Sequence, residues 1–319
     1  MLYPIKKSFA THLIDVGKHT LYLEEYGKPD GVPIIFLHGG PGSGCNDSQK
    51  KIFNNKKMRV IFLDQRGAGK SKPKLSLEEN NTSFLVKDIN TIREHLKIKK
   101  WFIVGGSWGA TLALAYALEN PEHVRGIILR ALFLGTEQEV EWAFHKAPLA
   151  FKPSMIDDIN KILGNRPYQN PIKKLGEMLD SKNKKKNCIA RELWGEYEKN
   201  LSTITAKDHD FNKIINNTEF CDERYLKAPN TPLIEWHYIK NKFFMKNNHL
   251  FKNKNKLSKI PIKIIQGQFD LLCPPVNSYN FAKSLNKAEI ITIPSAGHYS
   301  NDPGIAEKMK KIIDELVLG

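Results

Sequence analysis

Cysteine is scarce in this chain, with only Cys45, Cys188, Cys221 and Cys273 among 319 residues. None of these separations is a paired or metal-type spacing, so neither a disulfide scaffold nor a thiolate metal site is expected, and the sequence reads as a cytoplasmic protein with reduced thiols. Long apolar runs are missing as well. None approaches the roughly 20 residues that span a bilayer, and Met1-Leu2-Tyr3-Pro4-Ile5-Lys6-Lys7 leads into polar sequence where a secretory signal would continue apolar. No membrane partner is therefore expected. Phosphate-binding loops fail on spacing: a Walker loop ending Gly69-Lys70-Ser71 needs glycine where Asp64 stands, and a dinucleotide fingerprint from Gly40 needs glycine at Cys45. Acidic residues are in the minority, 34 Asp and Glu against 49 Lys and Arg, for a net charge of +15. The excess lies in scattered Lys/Asn runs such as Lys182-Asn183-Lys184-Lys185-Lys186-Asn187, with neither interleaved aromatics nor a recognised binding module. It reads as solvated surface, and no nucleic-acid partner is expected.

The chain does contain alternating strand-like and helix-like segments. Residues 19–26, 33–37, 59–64, 101–106 and 124–130 read as strands, with helices near 82–97 and 107–119. This pattern predicts an α/β fold with a mostly parallel sheet, an antiparallel start and flanking helices. After Leu132-Phe133-Leu134-Gly135 the pattern turns helical, charged and Lys-rich until about residue 257. Strand-like sequence resumes at Ile260, and a helix from about Ile305 to Leu316 closes the chain. The expected organisation is a core of residues 1–135 and 258–319, with a helical cap, 136–257, inserted in it. A chain of 319 residues with 41% hydrophobic content can bury both.

Gly105-Gly106-Ser107-Trp108-Gly109 sits between the apolar run 101–104 and the helix-forming run 110–115. That context makes it a nucleophile elbow, a strand, sharp turn and helix with Ser107 at the apex. A serine hydroxyl needs a neighbouring base, and on an α/β-hydrolase the acid and the histidine follow in that order. Asp270 lies just beyond the apolar strand that starts at Ile260, and His298 follows Gly297 just beyond the strand 289–293. Both are therefore placed at the carboxyl edge of the sheet, where such folds hold their chemistry. The oxyanion of an acyl-transfer reaction needs N–H donors. His38-Gly39-Gly40-Pro41-Gly42, after the strand 33–37, supplies them through Gly39 or Gly40, with Trp108 as the second. A carboxylesterase or lipase-like hydrolase could use the same triad, whereas a silent binding protein on this fold would be expected to have lost part of it.

The chain resembles the proline iminopeptidases (prolyl aminopeptidases) of the α/β-hydrolase superfamily. The resemblance is carried by His38-Gly39-Gly40-Pro41-Gly42, Asp64-Gln65-Arg66-Gly67, Gly105-Gly106-Ser107-Trp108-Gly109, Ile234-Glu235 with His237-Tyr238, and Ala296-Gly297-His298. It implies a serine aminopeptidase that needs no metal or organic cofactor and takes short peptides with a free N-terminus. It also implies that Glu198 and Glu235 bind the peptide's α-ammonium, because the family holds that group with cap carboxylates. Phe133, Phe144, Ile239 and Cys273 fall at positions that line the family's proline pocket. Two positions depart from the family. Ile239 stands where an aromatic wall is usual, and an aliphatic wall accepts a pyrrolidine ring and admits alanine or other small residues. After His298, where the family carries an acidic residue close by, the chain runs Tyr299-Ser300-Asn301-Asp302.

Overall fold

A computed structural model describes residues 1–205, 208–217 and 219–319. Eight strands form one sheet in the order β1-β2-β4-β3-β5-β6-β7-β8. They are β1 (Ala10–Asp15), β2 (Thr20–Gly27), β3 (Val32–Leu37), β4 (Met58–Asp64), β5 (Trp101–Ser107), β6 (Val124–Leu132), β7 (Ile262–Gly267) and β8 (Ala288–Ile293). β1 and β2 pair antiparallel with their neighbours, and from β4 onward every pairing is parallel. The inner strands read as continuous apolar runs because both faces are covered, as parallel sheets require. Helices α1 (Thr82–His95) and α2 (Trp108–Glu119) pack on one face, and the C-terminal helix lies on the other. α2 is buried along eleven of its twelve residues, which accounts for its nearly uniform apolar sequence.

Between β6 and β7 the chain is helical. Its main elements for the site are α3 (Lys184–Ser202) and α4 (Thr231–Lys240). This insertion has its own apolar cluster around Met155, Ile159, Leu193 and Trp194. α4 joins it to the sheet domain. Ile234 and Tyr238, one turn apart, enter the main core, while Leu233 and Trp236 pack on the insertion's cluster. Trp236 fills the space over Gly176, where a Cβ would come within 2.3 Å of its ring. From Lys242 to Leu257 the chain forms short turns that pack against α1 and α2, so the last part of the inserted sequence lies on the core side. Beyond it come α5 (Pro275–Lys283) and α6 (Ile305–Leu318).

Candidate active site

Ser107 ends β5 and precedes α2, with φ 56° and ψ −124°. An L-residue adopts this backbone only where its surroundings hold it. Those surroundings are visible in the neighbouring glycines. A Cβ at Gly105 would sit 2.3 Å from the Gly109 carbonyl, and one at Gly109 would sit 2.1 Å from the Leu37 carbonyl. The elbow thus closes only with glycine at both positions.

His298 turns Nδ1 toward Asp270, 2.9 Å from Oδ2 and 3.1 Å from Oδ1. Asp270 is buried, and its Oδ1 also accepts the N–H groups of Leu272 (3.0 Å) and Cys273 (2.8 Å) while Oδ2 accepts Gln266 Nε2 (3.1 Å). This fixes the carboxylate and hence the imidazole, leaving Nε2 for the serine side. Ser107 and His298 line the same cavity. No hydrogen bond joins them among the described residues, and catalytic hydrogen bonds of this kind commonly tighten only when substrate is present. Cys273 Sγ comes within 4.8 Å of the nearest ligand atoms of Asp270 and His298, and burial pushes its thiol well up from its ordinary value. This close cluster follows from the Asp270–His298 pair, whose facing atoms are already engaged with one another.

The glycine loop and the elbow are tied together. Gln65 donates from Nε2 to the His38 carbonyl (2.9 Å) and accepts Trp108 Nε1 on its Oε1 (2.9 Å). The Gln65 N–H donates to His38 Nε2 (3.0 Å), so His38 is neutral with its proton on Nδ1, which donates to the Gly39 carbonyl (2.9 Å). Burial lowers the His38 pKa and favours this form. Gly39 lies against the elbow, where a Cβ would meet the Gly106 carbonyl at 3.2 Å and Ser107 Cβ at 3.5 Å. Trp108 is the first residue of α2, so its N–H has no partner within the helix. The rest of the DQRG segment is equally engaged. Asp64 accepts the N–H groups of Cys45 (2.7 Å) and Lys70 (2.8 Å), and Arg66 forks onto Asp88 of α1 at 2.6 and 2.8 Å.

The cavity above Ser107 holds about 280 Å³. It is lined by Gly39, Gly40, Phe133, Phe144, Ile239, Cys273, Glu198 and Glu235, so the substrate-facing residues expected from the sequence converge on one space. Trp108 and Asp270 stand behind its wall. Phe144 is carried by a π turn, Trp142–Lys146, a distortion frequent at functional sites, and it stacks on Tyr197 with ring centres 5.9 Å apart. Glu198 comes from α3 and Glu235 from α4. Trp194 Nε1 donates to Glu235 Oε2 at 2.9 Å. Burial raises the Glu198 carboxyl from 4.5 to about 7. It also pushes Glu235 well above the usual carboxylate range, and the negative charge of Glu198 adds to that shift. α4 is held in place by Tyr238, whose hydroxyl donates to Asn80 Oδ1 (2.9 Å) and whose ring meets Trp108 edge to face at 4.7 Å.

The roles of four contributors were not identified from the sequence. Gln65 and His38 join segments far apart in the chain. Arg130, at the end of β6, donates from Nη1 to the His298 carbonyl and leaves no room beside it, since a Cβ at Gly106 would lie 2.8 Å from its Nη2. Asp302 resolves the departure noted after His298. It is buried and accepts the Gly297 N–H (2.6 Å) and the Thr203 hydroxyl (2.8 Å), so the acid anchors the histidine loop from four residues beyond His298.

Residues 32–304 match the alpha/beta hydrolase fold family. The proline iminopeptidase of Arabidopsis thaliana is 36% identical over 97% of this chain and 82% of that protein. Those of Xylella fastidiosa (34%, 95% of each chain) and Neisseria gonorrhoeae (32%, 99% of each chain) are similar along nearly their whole lengths. Among solved structures, a proline iminopeptidase-related protein from Thermus thermophilus shares the fold at TM-score 0.60 and 21% identity, covering 97% of this chain and 98% of that one. An alpha/beta fold family hydrolase from Bacillus anthracis shares it at TM-score 0.62 and 21% identity, covering 97% and 100%. No helix among the described residues is long and apolar enough to cross a membrane. With these full-length similarities and this arrangement of strand ends, the chain belongs to the proline iminopeptidase family of α/β hydrolases.

Proposed function

We propose that this protein removes N-terminal proline, and other small residues that fit the same pocket, from short peptides with a free N-terminus. The observation that carries the reading is the pair Glu198 and Glu235. Two carboxyl groups meet in a cavity that opens onto the serine, at a cost in desolvation and mutual repulsion that an esterase would have no reason to bear. An incoming ammonium removes that cost by replacing the retained proton with a charge-assisted hydrogen bond. It also sets the register, because the first residue's carbonyl is then presented to Ser107.

In this reading His298 Nε2 takes the Ser107 proton as Oγ attacks the carbonyl carbon, and Asp270 orients the imidazole and stabilises its cation. The N–H groups of Trp108 and of Gly39 or Gly40 receive the oxyanion. His298 then protonates the departing amine, and water hydrolyses the acyl-enzyme by the same steps. Phe133, Phe144, Ile239 and Cys273 enclose the pyrrolidine ring. We assign residues 1–135 and 258–319 to the catalytic unit and 136–257 to the inserted cap, whose last part, 242–257, packs on the catalytic unit. The four free cysteines support placing the protein in the cytoplasm. Incubation with a tripeptide such as Pro-Ala-Ala should release free proline and Ala-Ala. Internal cleavage, or an untouched peptide, would refute the reading.

A further inference from the structure

The active-site cavity has two ends that differ in character. The insertion end holds Glu198, Glu235 and the aromatic walls. The opposite wall, formed by Gly39, Gln49, Arg130 and Ser300, is shared with a second, smaller chamber of about 90 Å³. This chamber lies on the α6 side of the sheet, between the turn Asp47–Ile52 and the start of α6. Phe36, Ile52, Ile305 and Met309 give it apolar walls, and the small side chain of Ala306 lines it as well. Its rim is polar and exposed, at Ser48 and Asn301.

We propose that this chamber binds the side chain of the residue that follows the scissile bond. The inference rests on the aminopeptidase reading, since the first residue must occupy the insertion end for its ammonium to meet the carboxylates. The carbonyl carbon then lies at Ser107, and the departing amine, which His298 protonates, leads on past Ser300, which lines both the cavity and the chamber. The apolar walls formed by Phe36, Ile52, Ile305 and Met309 favour an aliphatic side chain by burying it. The volume favours small side chains: it is smaller than the ~150 Å³ cavity that takes a benzene ring, so alanine, valine and leucine are accommodated more readily than phenylalanine and tryptophan. The exposed rim leaves room for a third and later residues to run out between Ser48 and Asn301. The chamber thus restricts the size of the second residue's side chain without limiting peptide length.

The test compares kcat/KM for Pro-Ala, Pro-Leu and Pro-Phe with that for prolinamide, which has no residue after the scissile bond. Two variants alter the chamber from α6, Ala306→Trp to fill it and Met309→Ala to enlarge it. Filling should lower the ratio of Pro-Leu to prolinamide by about tenfold or more, the usual effect of one or two misplaced methylenes in an apolar pocket. Enlarging should raise the ratio of Pro-Phe to Pro-Ala. Because each readout is a ratio within one protein, partial loss of folded enzyme cancels. Unchanged ratios in both variants, in an enzyme that cleaves prolinamide and prolyl dipeptides, would overturn the subsite alone. Failure of the wild type to cleave either would overturn the aminopeptidase reading and this proposal with it.

Discussion

Replacing Glu235 with glutamine isolates the ammonium contact. In the empty enzyme burial and the neighbouring Glu198 push the Glu235 carboxyl well above the usual carboxylate range, so the neutral amide resembles the acid form that this shift favours. Its oxygen can still accept Trp194 Nε1, which lies 2.9 Å from Glu235 Oε2. The fold should therefore be little changed, with Tm within a few degrees of wild type. Binding a substrate ammonium is different, because the pair must then give up its proton and one carboxylate must carry charge beside the cation. The variant lacks one of the two possible carboxylates. Weakening a hydrogen bond to a charged group, worth ~1.5–3 kcal/mol, corresponds to a fall of about 10- to 150-fold in kcat/KM for prolyl p-nitroanilide. Hydrolysis of p-nitrophenyl acetate, which has no ammonium, should change by less than about twofold. Equal losses on both substrates would mean that the triad or the fold had been damaged, and no loss on either would remove the ammonium contact from the mechanism.

Ser107→Ala should abolish turnover, by at least about a thousandfold, while thermal unfolding stays near wild type; near-normal hydrolysis by the folded variant would exclude the serine mechanism. Gln65→Leu unties the glycine loop from Trp108 and should lower kcat by about 10- to 100-fold with KM little changed, since misplaced oxyanion donors act in the transition state; a change in KM alone would place Gln65 in substrate binding instead. The Glu198 carboxyl is raised from 4.5 to about 7 in the fold, so the folded state binds its proton more tightly than the unfolded chain does. Its contribution is therefore present below about pH 4.5 and is lost as pH rises to about 7, amounting to about 3 kcal/mol at most. Urea unfolding across that window should show wild type losing stability relative to Glu198→Gln, and parallel curves would refute the assignment.

The parts of the site that were legible in the sequence are those set by local structure. Ser107 and Asp270 come at or just beyond the apolar runs that form the buried strands β5 and β7, and His298 follows the partly buried edge strand β8, so their common position at one sheet edge follows from parallel pairing. β1 was missed because its alternating, largely exposed residues, Ala10–Asp15, form an edge strand with one weakly apolar face. The Lys/Asn-rich stretch after Lys240 reads as surface, yet Phe243, Leu250 and Leu257 from it enter the core against α1 and α2, since helical spacing does not say which body a short apolar face will meet. Gln65 and Asp302 were missed for another reason. Each acts by a hydrogen bond to a segment distant in the chain, Gln65 to Trp108 and Asp302 to Thr203, and no spacing rule encodes such a contact. The retained proton on the glutamate pair is likewise a property of the closed cavity.

The account rests on a cavity built to receive a free amine, and one comparison tests that most directly. kcat/KM should be measured for prolyl p-nitroanilide and for its N-acetyl derivative on the same enzyme preparation. Acetylation removes the charge and adds bulk at the carboxylate end, leaving the two half-buried acids of the cavity without a cation, so the acetylated substrate should be cleaved at least about 100-fold more slowly. Comparable rates would contradict the account and return the protein to the esterases that share its fold.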